Sequence, residues 1–337
     1  MADDSNPYFV SGDVAQAVFR WSDAISALQH AYGQAGGPGG LPPRTVAEVD
    51  GVWLRTLPAI PAGSRYFGAK LMGMARTSST PGTDYVIVLF DRETSRLKAF
   101  VDGNLVTGFR TAATSAAALD RLAPAGPASL AILGSGLEAS MHLRAFASVR
   151  PISGVTVFSP TDHKREAFAA SMSQELALPV RPATSPESAV RGADIVLTAA
   201  RSRGEQPILF GDWLKAGATV VSIGSTVPEQ REIDASVVDR SDLIVCDTPE
   251  EVLHETGDMI AAANAGIDVA AKVHSMGALM TGDLADRLEV ASIRMFKSVG
   301  AGLQDVVVAG MILERALATD AATRLPIEFN KKTPQKR

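Results

Sequence analysis

The chain has 337 residues, of which 46% are hydrophobic and 20% charged, so it is long enough for two domains and has the composition of a folded globular protein. Its formal net charge of −5 argues against a nucleic-acid partner or an anionic membrane surface. One cysteine, Cys246, excludes an intrachain disulfide, and no leader-like N-terminal segment or membrane-length apolar run is present. These features predict a cytoplasmic protein that makes no membrane contact.

The first third of the chain combines one helical pattern with several extended ones. A short strand is predicted at Tyr8–Val10, followed by a helix that begins at Ser22-Asp23 and ends at the glycine-rich stretch 36–40. From Pro43 to Asp102 the apolar residues recur mostly at every second position. That period predicts strands near 52–57, 66–74 and 85–90, a hairpin turn at 91–94 and, after them, an alanine-rich helix at 110–122.

After Ser129 short apolar strands alternate with helix-like segments. The strands are predicted at 130–133, 155–158, 194–198, 219–223, 243–246 and 291–296, and the helices around 164–175, 186–190 and 233–238. This alternation predicts a parallel sheet with helices on both faces. The amphipathic segment 300–318 is predicted to pack back on the N-terminal half. The fold class is therefore α/β, with a Rossmann-type dinucleotide-binding domain at residues 125–299 inserted in a mixed α+β domain formed by 1–124 plus 300–337.

The turn after the first of these strands carries the clearest chemical signal. Gly134-Ser135-Gly136-Leu137-Glu138-Ala139 joins the strand 130–133 to a helical pattern. Glycines at such a turn let the backbone approach a pyrophosphate, and the helix N-terminus attracts the phosphate charge. A small residue at Ala139 still permits close packing of helix and strand. The turn predicts a dinucleotide site that includes Gly134, Gly136, Leu137 and Glu138.

The end of the second strand bears on which dinucleotide is bound. NAD sites usually carry an acidic residue there, which bonds the ribose 2′-hydroxyl. Here Ser159 cannot repel a 2′-phosphate, and Thr161, Lys164 and Arg165 are suited to binding one. Two alternatives stay open: Asp162 is a displaced acidic residue, or the two cations only decorate an exposed helix start. NADP is therefore the preferred coenzyme, with NAD as the alternative.

Three cations in the N-terminal half occupy unusual positions. Arg44 follows two prolines, Lys70 interrupts an otherwise apolar strand, and Arg110 opens the alanine-rich helix. Each alone is explained by a solvated or snorkelling side chain. Brought together, they would grip a carboxylate, which arginine binds through two parallel hydrogen bonds. The five histidines show no spacing typical of metal ligands, so no metal site is predicted.

Several motifs support the prediction of a dinucleotide and carboxylate site. They follow one another in the same order as in the ornithine cyclodeaminase/mu-crystallin family, which the chain therefore resembles. They run from about Arg44 to Leu317 and comprise NLVTGFRTAA at 104–113, the GSGLEA turn, GADIVLT at 192–198, PILFGDW at 207–213, REID at 231–234 and FKSVG at 296–300. The resemblance implies a homodimer formed by the N-terminal domains, with the active site between the two domains of each chain. It also implies that Arg44, Lys70 and Arg110 hold a small substrate through its carboxylate. Arg110, Gly136, Leu137, Thr198 and Ser298 match family positions that touch the nicotinamide dinucleotide, and Gly224 is assigned to the same set.

One departure from the family pattern separates two reaction types. Cyclodeaminases carry an aspartate in a GGD-type turn, where it takes a proton during ring closure, whereas the matching position here is Thr226. A neutral hydroxyl cannot act as a base near pH 7. The sequence thus resembles the reductase side of the family, unless Glu255 substitutes as the acid; Glu255 is alternatively a substrate contact.

The predicted function is NAD(P)H-dependent reduction of the C=N bond of a 2-imino acid or cyclic ketimine. Its predicted substrate residues are Arg44, Lys70, Arg110, Thr226 and Glu255, and Lys70 orients the carboxylate and gives a proton to the nitrogen. An ornithine cyclodeaminase-type lyase that recycles bound NAD is the first alternative. A non-catalytic protein that binds a dinucleotide and a small acid is the second.

Overall fold

The computed structural model describes residues 6–34, 41–75, 82–200 and 204–330, so the glycine-rich stretch 36–40 lies outside the described residues. The strands are β1 (Tyr8–Val10), β2 (Thr45–Val49), β3 (Val52–Ala59), β4 (Tyr66–Ala75), β5 (Thr83–Asp91), β6 (Leu97–Asp102), β7 (Ala128–Leu133), β8 (Ile152–Phe158), β9 (Val180–Pro182), β10 (Ile195–Thr198), β11 (Thr219–Ser222), β12 (Leu243–Cys246), β13 (Val273–Ser275), β14 (Arg294–Lys297) and β15 (Thr323–Arg324). The helices are α1 (Gly12–Val18), α2 (Trp21–Gly33), α3 (Gly103–Leu122), α4 (Leu137–Val149), α5 (Asp162–Leu176), α6 (Pro186–Val190), α7 (Ala235–Arg240), α8 (Pro249–Glu255), α9 (Gly257–Asn264), α10 (Val269–Lys272), α11 (Met276–Thr281), α12 (Ala285–Val290) and α13 (Gly302–Ala318). Within those ranges, none of the helices combines the length and the apolar character needed to cross a bilayer.

The chain folds into two compact units. Unit 1 comprises Met1–Arg110 and Ala301–Arg337, and unit 2 comprises Thr111–Gly300. The strand and helix content of each, together with the solved structures described below, confirms the predicted α/β class with a Rossmann-type domain inserted in a mixed α+β domain.

Unit 1 is built on a mixed sheet. Its described strands lie in the order β15-β1-β6-β5-β4-β3-β2, with β1 and β6 parallel and the other neighbours antiparallel. Helix α13 covers one face, where Gly310 lies against the ring of Tyr66. At its start, a Cβ on Gly302 would fall 2.5 Å from the backbone oxygen of Leu57, so only glycine permits this approach. Tyr66 and Lys70, four residues apart on β4, share the face that α13 covers.

Unit 2 is built on a parallel sheet whose described strands lie in the order β13-β12-β14-β11-β10-β7-β8-β9. Every residue of β10, β11 and β12 is buried. Strands buried on both faces have continuous apolar sequences rather than alternating ones, which explains why the short apolar runs predicted these strands correctly. Strand β7 lies between β8 and β10, so the strand order reverses at β7. Open parallel sheets bind ligands at the carboxyl ends of the strands beside such a point.

Several element boundaries differ from the prediction, and two of these differences concern helix starts. Helix α3 begins at Gly103 rather than at Arg110, so Arg110 lies inside the helix and not at its start. Helix α7 begins at Ala235 because the Asp234 side chain accepts a hydrogen bond from Ser236 N and caps it. Ile233, predicted as helical, instead forms a parallel β-bridge with Leu209. The extended segment therefore ends with the bridge at Ile233, and Asp234 caps the helix that begins at the next residue.

Candidate active site

Lys70 is a lysine inside the core of unit 1. It lies on β4, with 1% of its surface exposed, and its Nζ donates a hydrogen bond of 2.9 Å to Asp305 Oδ1 on α13. Asp305 is itself fully buried. Charged side chains at such depth are rare unless they are paired or serve a site. The α13 helix therefore supplies the carboxylate that lets a lysine occupy an apolar strand.

Arg110 joins this buried pair from helix α3. Its Nε lies 3.1 Å from the same Asp305 oxygen, and its Nη1 donates a hydrogen bond of 2.7 Å to Gln304 Oε1. Gln304 in turn donates from Nε2 to the Tyr32 hydroxyl at 2.9 Å. All of these side chains are buried, so the guanidinium is held in one orientation by α13 directly and by α2 through Gln304. We call Lys70, Arg110, Asp305 and Gln304 the buried ion cluster.

The surroundings of Lys70 lower its affinity for a proton. Burial is the largest cause, and the charge of Arg110 adds to it, while Asp305 opposes both; the pKa of Lys70 falls to about 8. Arg55 on β3 acts in the same direction as Arg110. The strongest charges acting on Lys70 are therefore two arginines and one carboxylate.

The structure brings two of the three predicted cations together and places the third nearby in the sheet. Arg44 directly precedes β2, which begins at Thr45. Across the sheet, Thr45 pairs with Thr56 of β3, and Thr56 pairs with Leu71 of β4. Arg44 thus lies two strands from Lys70 at nearly the same level. Arg55, which sequence reasoning did not select, lies on the intervening strand.

The predicted dinucleotide turn in unit 2 has the geometry that a pyrophosphate needs. Gly134 has a φ of +127°, and a Cβ there would fall 2.5 Å from the backbone oxygen of Ala199, so a larger residue is excluded. A Cβ on Gly136 would meet no atom within 4 Å, which shows open space above the turn. Gly136 is the N-cap of α4 and has no side chain to cap it. Leu137 is 55% exposed. These residues fit a dinucleotide whose phosphates lie at the start of α4.

Glu138 is the exception in this turn. Its carboxylate lies 3.6 Å from His142 Nδ1, one helical turn further along α4. The side chain is directed along its own helix toward His142, and it is about one-third exposed. A phosphate at this turn would therefore be held by backbone groups rather than by the Glu138 side chain.

The residues expected to select the coenzyme lie at the carboxyl end of β8. Ser159 is buried and its hydroxyl accepts a hydrogen bond of 2.9 Å from Ser135. Thr161 is the N-cap of α5 but makes no capping hydrogen bond through its side chain. Lys164 is exposed on the first turn of that helix. Arg165 donates to the Ser159 carbonyl at 3.1 Å and pairs with Asp162 at 2.7 Å, so Asp162 is engaged by a cation.

The remaining predicted coenzyme residues follow the neighbouring strands. Thr198 ends β10 and is fully buried, and Gly224 follows β11. A Cβ on Gly224 would fall 2.2 Å from Glu232 Oε1. The other oxygen of Glu232 accepts hydrogen bonds from Gly224 N at 2.8 Å and from Ser222 Oγ at 2.9 Å, while Oε1 accepts from Ala200 N at 3.1 Å. One buried carboxylate thus holds together the loops after β10 and β11.

A second buried ion pair lies beneath these loops. Lys297 at the end of β14 donates to Asp258 Oδ2 at 3.0 Å and to Ser222 Oγ at 2.9 Å, and both charged residues are fully buried. Asp258 Oδ1 accepts from the backbone of Glu232 and Ile233. Burial is the main reason that the pKa of Glu232 rises to about 6, and the Lys297 charge limits the rise. Lys297, Asp258 and Glu232 are the unit 2 ion network.

Ser298 is held by a different carboxylate. Its hydroxyl donates to Asp247 Oδ2 at 2.6 Å, and Asp247 also accepts from the backbone of Val299 and Gly300. Asp247 thereby shapes the loop after β14 that presents Ser298. Within the ranges that the structure describes, no group of three or more His, Cys, Asp or Glu side chains is placed to hold a metal ion.

The two residues that decide between the reaction types lie on adjoining segments of unit 2. The backbone N and the hydroxyl of Thr226 both donate to Gln230 Oε1, at 2.9 and 3.2 Å. Glu255 is the last residue of α8 and is partly buried. Gly257 packs so closely on the 228–230 segment that a Cβ would fall 2.2 Å from the Gln230 carbonyl. The loop of Thr226 and the segment of Glu255 therefore meet at this glycine.

Comparison with known proteins agrees with these features. Residues 16–320 match the ornithine cyclodeaminase/mu-crystallin family, which is nearly the whole chain. The chain belongs to this family. The resemblance inferred from its motifs is thus confirmed, and with it the α/β fold class.

The relatives of this family member include imine reductases. It is 32% identical to the ketimine reductase mu-crystallin of Rattus norvegicus over 91% of this chain and 97% of that protein. It is 29% identical to a Delta(1)-pyrroline-2-carboxylate reductase of Bacillus cereus, over 81% and 84% of the two chains. A solved structure of the Thermococcus litoralis Delta(1)-pyrroline-2-carboxylate reductase, in complex with NADH and L-proline, superposes with a TM-score of 0.84 at 25% identity, covering 94% of this chain and 100% of that one.

Sequence reasoning missed several buried polar and charged residues of both units. Asp305, Gln304, Glu232, Asp258 and Lys297 were not selected, although Glu232 and Lys297 lie within two of the motifs that signalled the family. A charged residue inside an apolar periodic segment, such as Asp305 in α13 or Lys297 ending β14, is the signal that was available. The same signal had selected Lys70.

Proposed function

We propose that this protein is an NAD(P)H-dependent oxidoreductase that reduces the C=N bond of a 2-imino acid or cyclic ketimine. The observation that carries the proposal is the buried ion cluster, in which Lys70 and Arg110 share one carboxylate inside a family whose relatives include imine reductases. A lysine and an arginine held side by side suit a substrate that bears a carboxylate, which arginine binds through paired hydrogen bonds.

Arg110 and Arg44 would bind that carboxylate, and Lys70 would supply a proton. When bound, the nicotinamide coenzyme supplies the hydride that the C=N carbon accepts. As the π electrons of that bond move to the nitrogen, the nitrogen needs a proton, and a lysine with a pKa of about 8 can release one near neutral pH. The fixed orientation of Arg110 by Gln304 and Asp305 would hold the substrate in one pose.

The coenzyme residues that we propose are those of unit 2 at the carboxyl ends of its strands. They comprise Gly134, Gly136, Leu137, Glu138, Ser159, Thr161, Lys164, Arg165, Thr198, Gly224 and Ser298. The open space at Gly136 and the reversal of strand order at β7 support this assignment. Thr226 and Glu255 would contact the substrate, and the hydroxyl of Thr226 supports a reductase rather than a lyase because it offers no base.

Coenzyme oxidation by purified protein tests the proposal. NADPH and NADH are each mixed with cyclic ketimines that carry a carboxylate, and with 2-keto acids plus ammonia or methylamine, and loss of the reduced coenzyme is followed. Net oxidation with at least one C=N substrate is expected. Ammonia release from L-ornithine without net coenzyme turnover would instead establish the lyase, and no turnover on any imine would favour a binding protein.

We propose further that NADPH is preferred over NADH. Arg165, Lys164 and Thr161 surround the position after β8 where an acidic residue would otherwise bond the ribose. Asp162 is paired with Arg165 at 2.7 Å, so a cation offsets its charge. A 2′-phosphate would compete for the same guanidinium.

Replacing both cations is expected to lower the NADPH preference. In the double variant Lys164→Glu/Arg165→Glu, the ratio of kcat/KM for NADPH to that for NADH should fall on the order of tenfold or more, because the two cations proposed to bind the 2′-phosphate are gone. A tenfold change corresponds to about 1.4 kcal/mol. The matched control is Arg191→Glu/Arg287→Glu, which makes the same charge change at exposed positions of unit 2. An unchanged ratio in the first double variant would show that this segment does not select the coenzyme.

We also propose that the protein is a cytoplasmic homodimer joined through unit 1. On the sheet face opposite α13, Ala47 and Val49 of the edge strand β2 pair with Leu54 and Val52 of β3. Val49, Val52 and Leu54 are each about half exposed or more. An exposed apolar face on an edge strand is a typical surface for a second copy of the same chain. The single buried cysteine, Cys246, suits a reducing compartment.

The mass in solution tests the dimer. Sedimentation equilibrium of the wild-type protein should give twice the 35.3 kDa of one chain. The variant Val52→Glu/Leu54→Glu should shift toward the single-chain mass, because charges on this face oppose its burial. Ile60→Glu, at an exposed apolar residue just after β3, is the control and should keep the wild-type mass. A single-chain mass for the wild type would refute the proposal.

A further inference from the structure

One oxygen atom of Asp305 links the two cations of the buried ion cluster. Asp305 Oδ1 accepts the hydrogen bond from Lys70 Nζ at 2.9 Å and forms the ion pair with Arg110 Nε at 3.1 Å. The second oxygen, Oδ2, is buried and has no hydrogen-bond partner among the described residues. One carboxylate oxygen on α13 therefore joins the lysine of β4 to the arginine of α3.

We propose that Asp305 is a positioning residue for imine reduction: it holds Lys70 beside Arg110 and keeps Lys70 protonated until the proton passes to the substrate nitrogen. This inference rests on the proposed function of the same site. Asp305 acts through Lys70 and does not itself transfer a proton. The bond that breaks is Lys70 Nζ–H, the bond that forms is N–H on the substrate, and the hydride from the coenzyme balances the electrons.

The surroundings of Lys70 show why one carboxylate has this effect. Charged or titratable groups face it from four elements: Arg55 from β3, Tyr85 from β5 with its ring centre 5.8 Å from Nζ, Arg110 from α3 and Asp305 from α13. Burial and both arginines favour loss of the proton, and Asp305 alone among the strongest influences favours its retention. Without that charge, the lysine would reach the neutral form at a lower pH.

The test is the pH profile of Asp305→Asn, which keeps the side-chain size and removes the charge. In the wild type, kcat/KM for an imine substrate should fall above a pH of about 8 as Lys70 loses its proton. In Asp305→Asn this alkaline limb should move down by about one pH unit or more, the usual effect of an opposite charge within 4–6 Å. The control is Asp91→Asn at the far end of β5, whose carboxylate accepts from Thr94 and should leave the limb in place. An unmoved limb in Asp305→Asn would overturn the proposal.

A second measurement does not depend on activity. The folded-state pKa of Lys70 is lowered, so between about pH 8 and the usual lysine value of 10.5 the unfolded chain binds more protons. The contribution of Lys70 to stability therefore rises with pH across that window. The denaturation midpoints of wild type and Lys70→Met are compared as a function of pH. Above pH 8 the wild-type midpoint should rise relative to that of Lys70→Met. In the Asp305→Asn background, the midpoints with and without Lys70→Met should begin to diverge at a lower pH.

The two measurements separate two kinds of failure. If no imine is reduced but the stability profile shifts in Asp305→Asn, the proposed function fails and the control of Lys70 by Asp305 stands. Should Asp305→Asn not fold, adding Lys70→Met is expected to restore part of the lost stability, since one of the two buried cations paired with Asp305 is gone. A double variant that is no more stable than Asp305→Asn alone would contradict the role assigned to Asp305.

Discussion

Lys70→Met is expected to lower kcat/KM for imine reduction by about 10²–10⁴-fold, the usual contribution of a positioned acid or base. Methionine has a similar shape and fits an apolar strand, but it carries no proton to give to the substrate nitrogen. The residual activity should lose the alkaline limb that the wild type shows near pH 8, because the group that titrates there is gone. Coenzyme-oxidation kinetics from pH 6 to 10 measure both effects.

The variant should fold, because Asp305 keeps its ion pair with Arg110 at 3.1 Å. Coenzyme affinity, measured by quenching of the reduced coenzyme's fluorescence, should stay near the wild-type value, since the proposed coenzyme residues are in unit 2. The matched control is Lys98→Met, a lysine of the same sheet that lies over the Tyr8 ring at 5.0 Å. If Lys70→Met retained activity within tenfold of the wild type, Lys70 would not be the proton donor.

Lys297→Met is expected to lower the free energy of unfolding by about 3–5 kcal/mol, because it removes the buried cation beside Asp258 and Glu232 and leaves Asp258 with the longer ion pair to Arg231 Nε at 3.5 Å. Urea denaturation at pH 7 measures the loss. Lys215→Met is the matched control: Lys215 pairs with Asp194 at the surface, both side chains being about 40% exposed. An exposed pair of this kind contributes about 0–1 kcal/mol.

A double variant tests whether the missing charge balance is the cause. Asp258→Asn keeps an oxygen that can accept from the backbone of Glu232 and Ile233 but carries no charge. In the Lys297→Met background it should therefore cost less than it does alone, and the difference is the coupling between the two sites. Strict additivity of the two losses would mean that packing, and not charge, accounts for the effect of Lys297→Met.

The same loss should depend on pH through Glu232. Its folded-state pKa is raised to about 6, so the folded protein binds more protons than the unfolded chain between pH 4.5 and 6, and stability falls as pH rises through that window. Without the Lys297 charge the folded-state pKa rises further, so the window extends to higher pH. The stability difference between Lys297→Met and wild type should thus be smaller at pH 5 than at pH 7.

The strands and helices of unit 2 were largely predictable because the signal is local. A strand buried on both faces needs a run of apolar residues, and β12 was predicted with its exact limits, Leu243–Cys246. Helix starts were less predictable: Asp102, directly before α3, accepts a hydrogen bond of 2.9 Å from Asn104 N as a capping residue does, but it also ends the preceding strand β6. The start of α7 follows from the Asp234 cap and from a bridge to Leu209, and the bridge is a contact between distant positions in the sequence.

The candidate site shows the same division. Lys70 stood out because a charge interrupts an apolar strand, and Gly134 stood out because a tight turn joins a strand to a helix. Asp305, by contrast, is 235 positions from Lys70 in the sequence, and nothing local marks it as the partner of that lysine. Glu232 likewise joins loops that follow two different strands.

The sequence by itself determined the family, the layers of secondary structure, the glycine turn and the cations, because residue type and spacing encode each of them within a few positions. Only the tertiary structure decided how the charges are balanced: Asp305 between Lys70 and Arg110, and Asp258 with Glu232 around Lys297. The physical reason is that the free energy of a buried charge depends on atoms within a few ångströms of it, and the fold brings those atoms from distant parts of the chain.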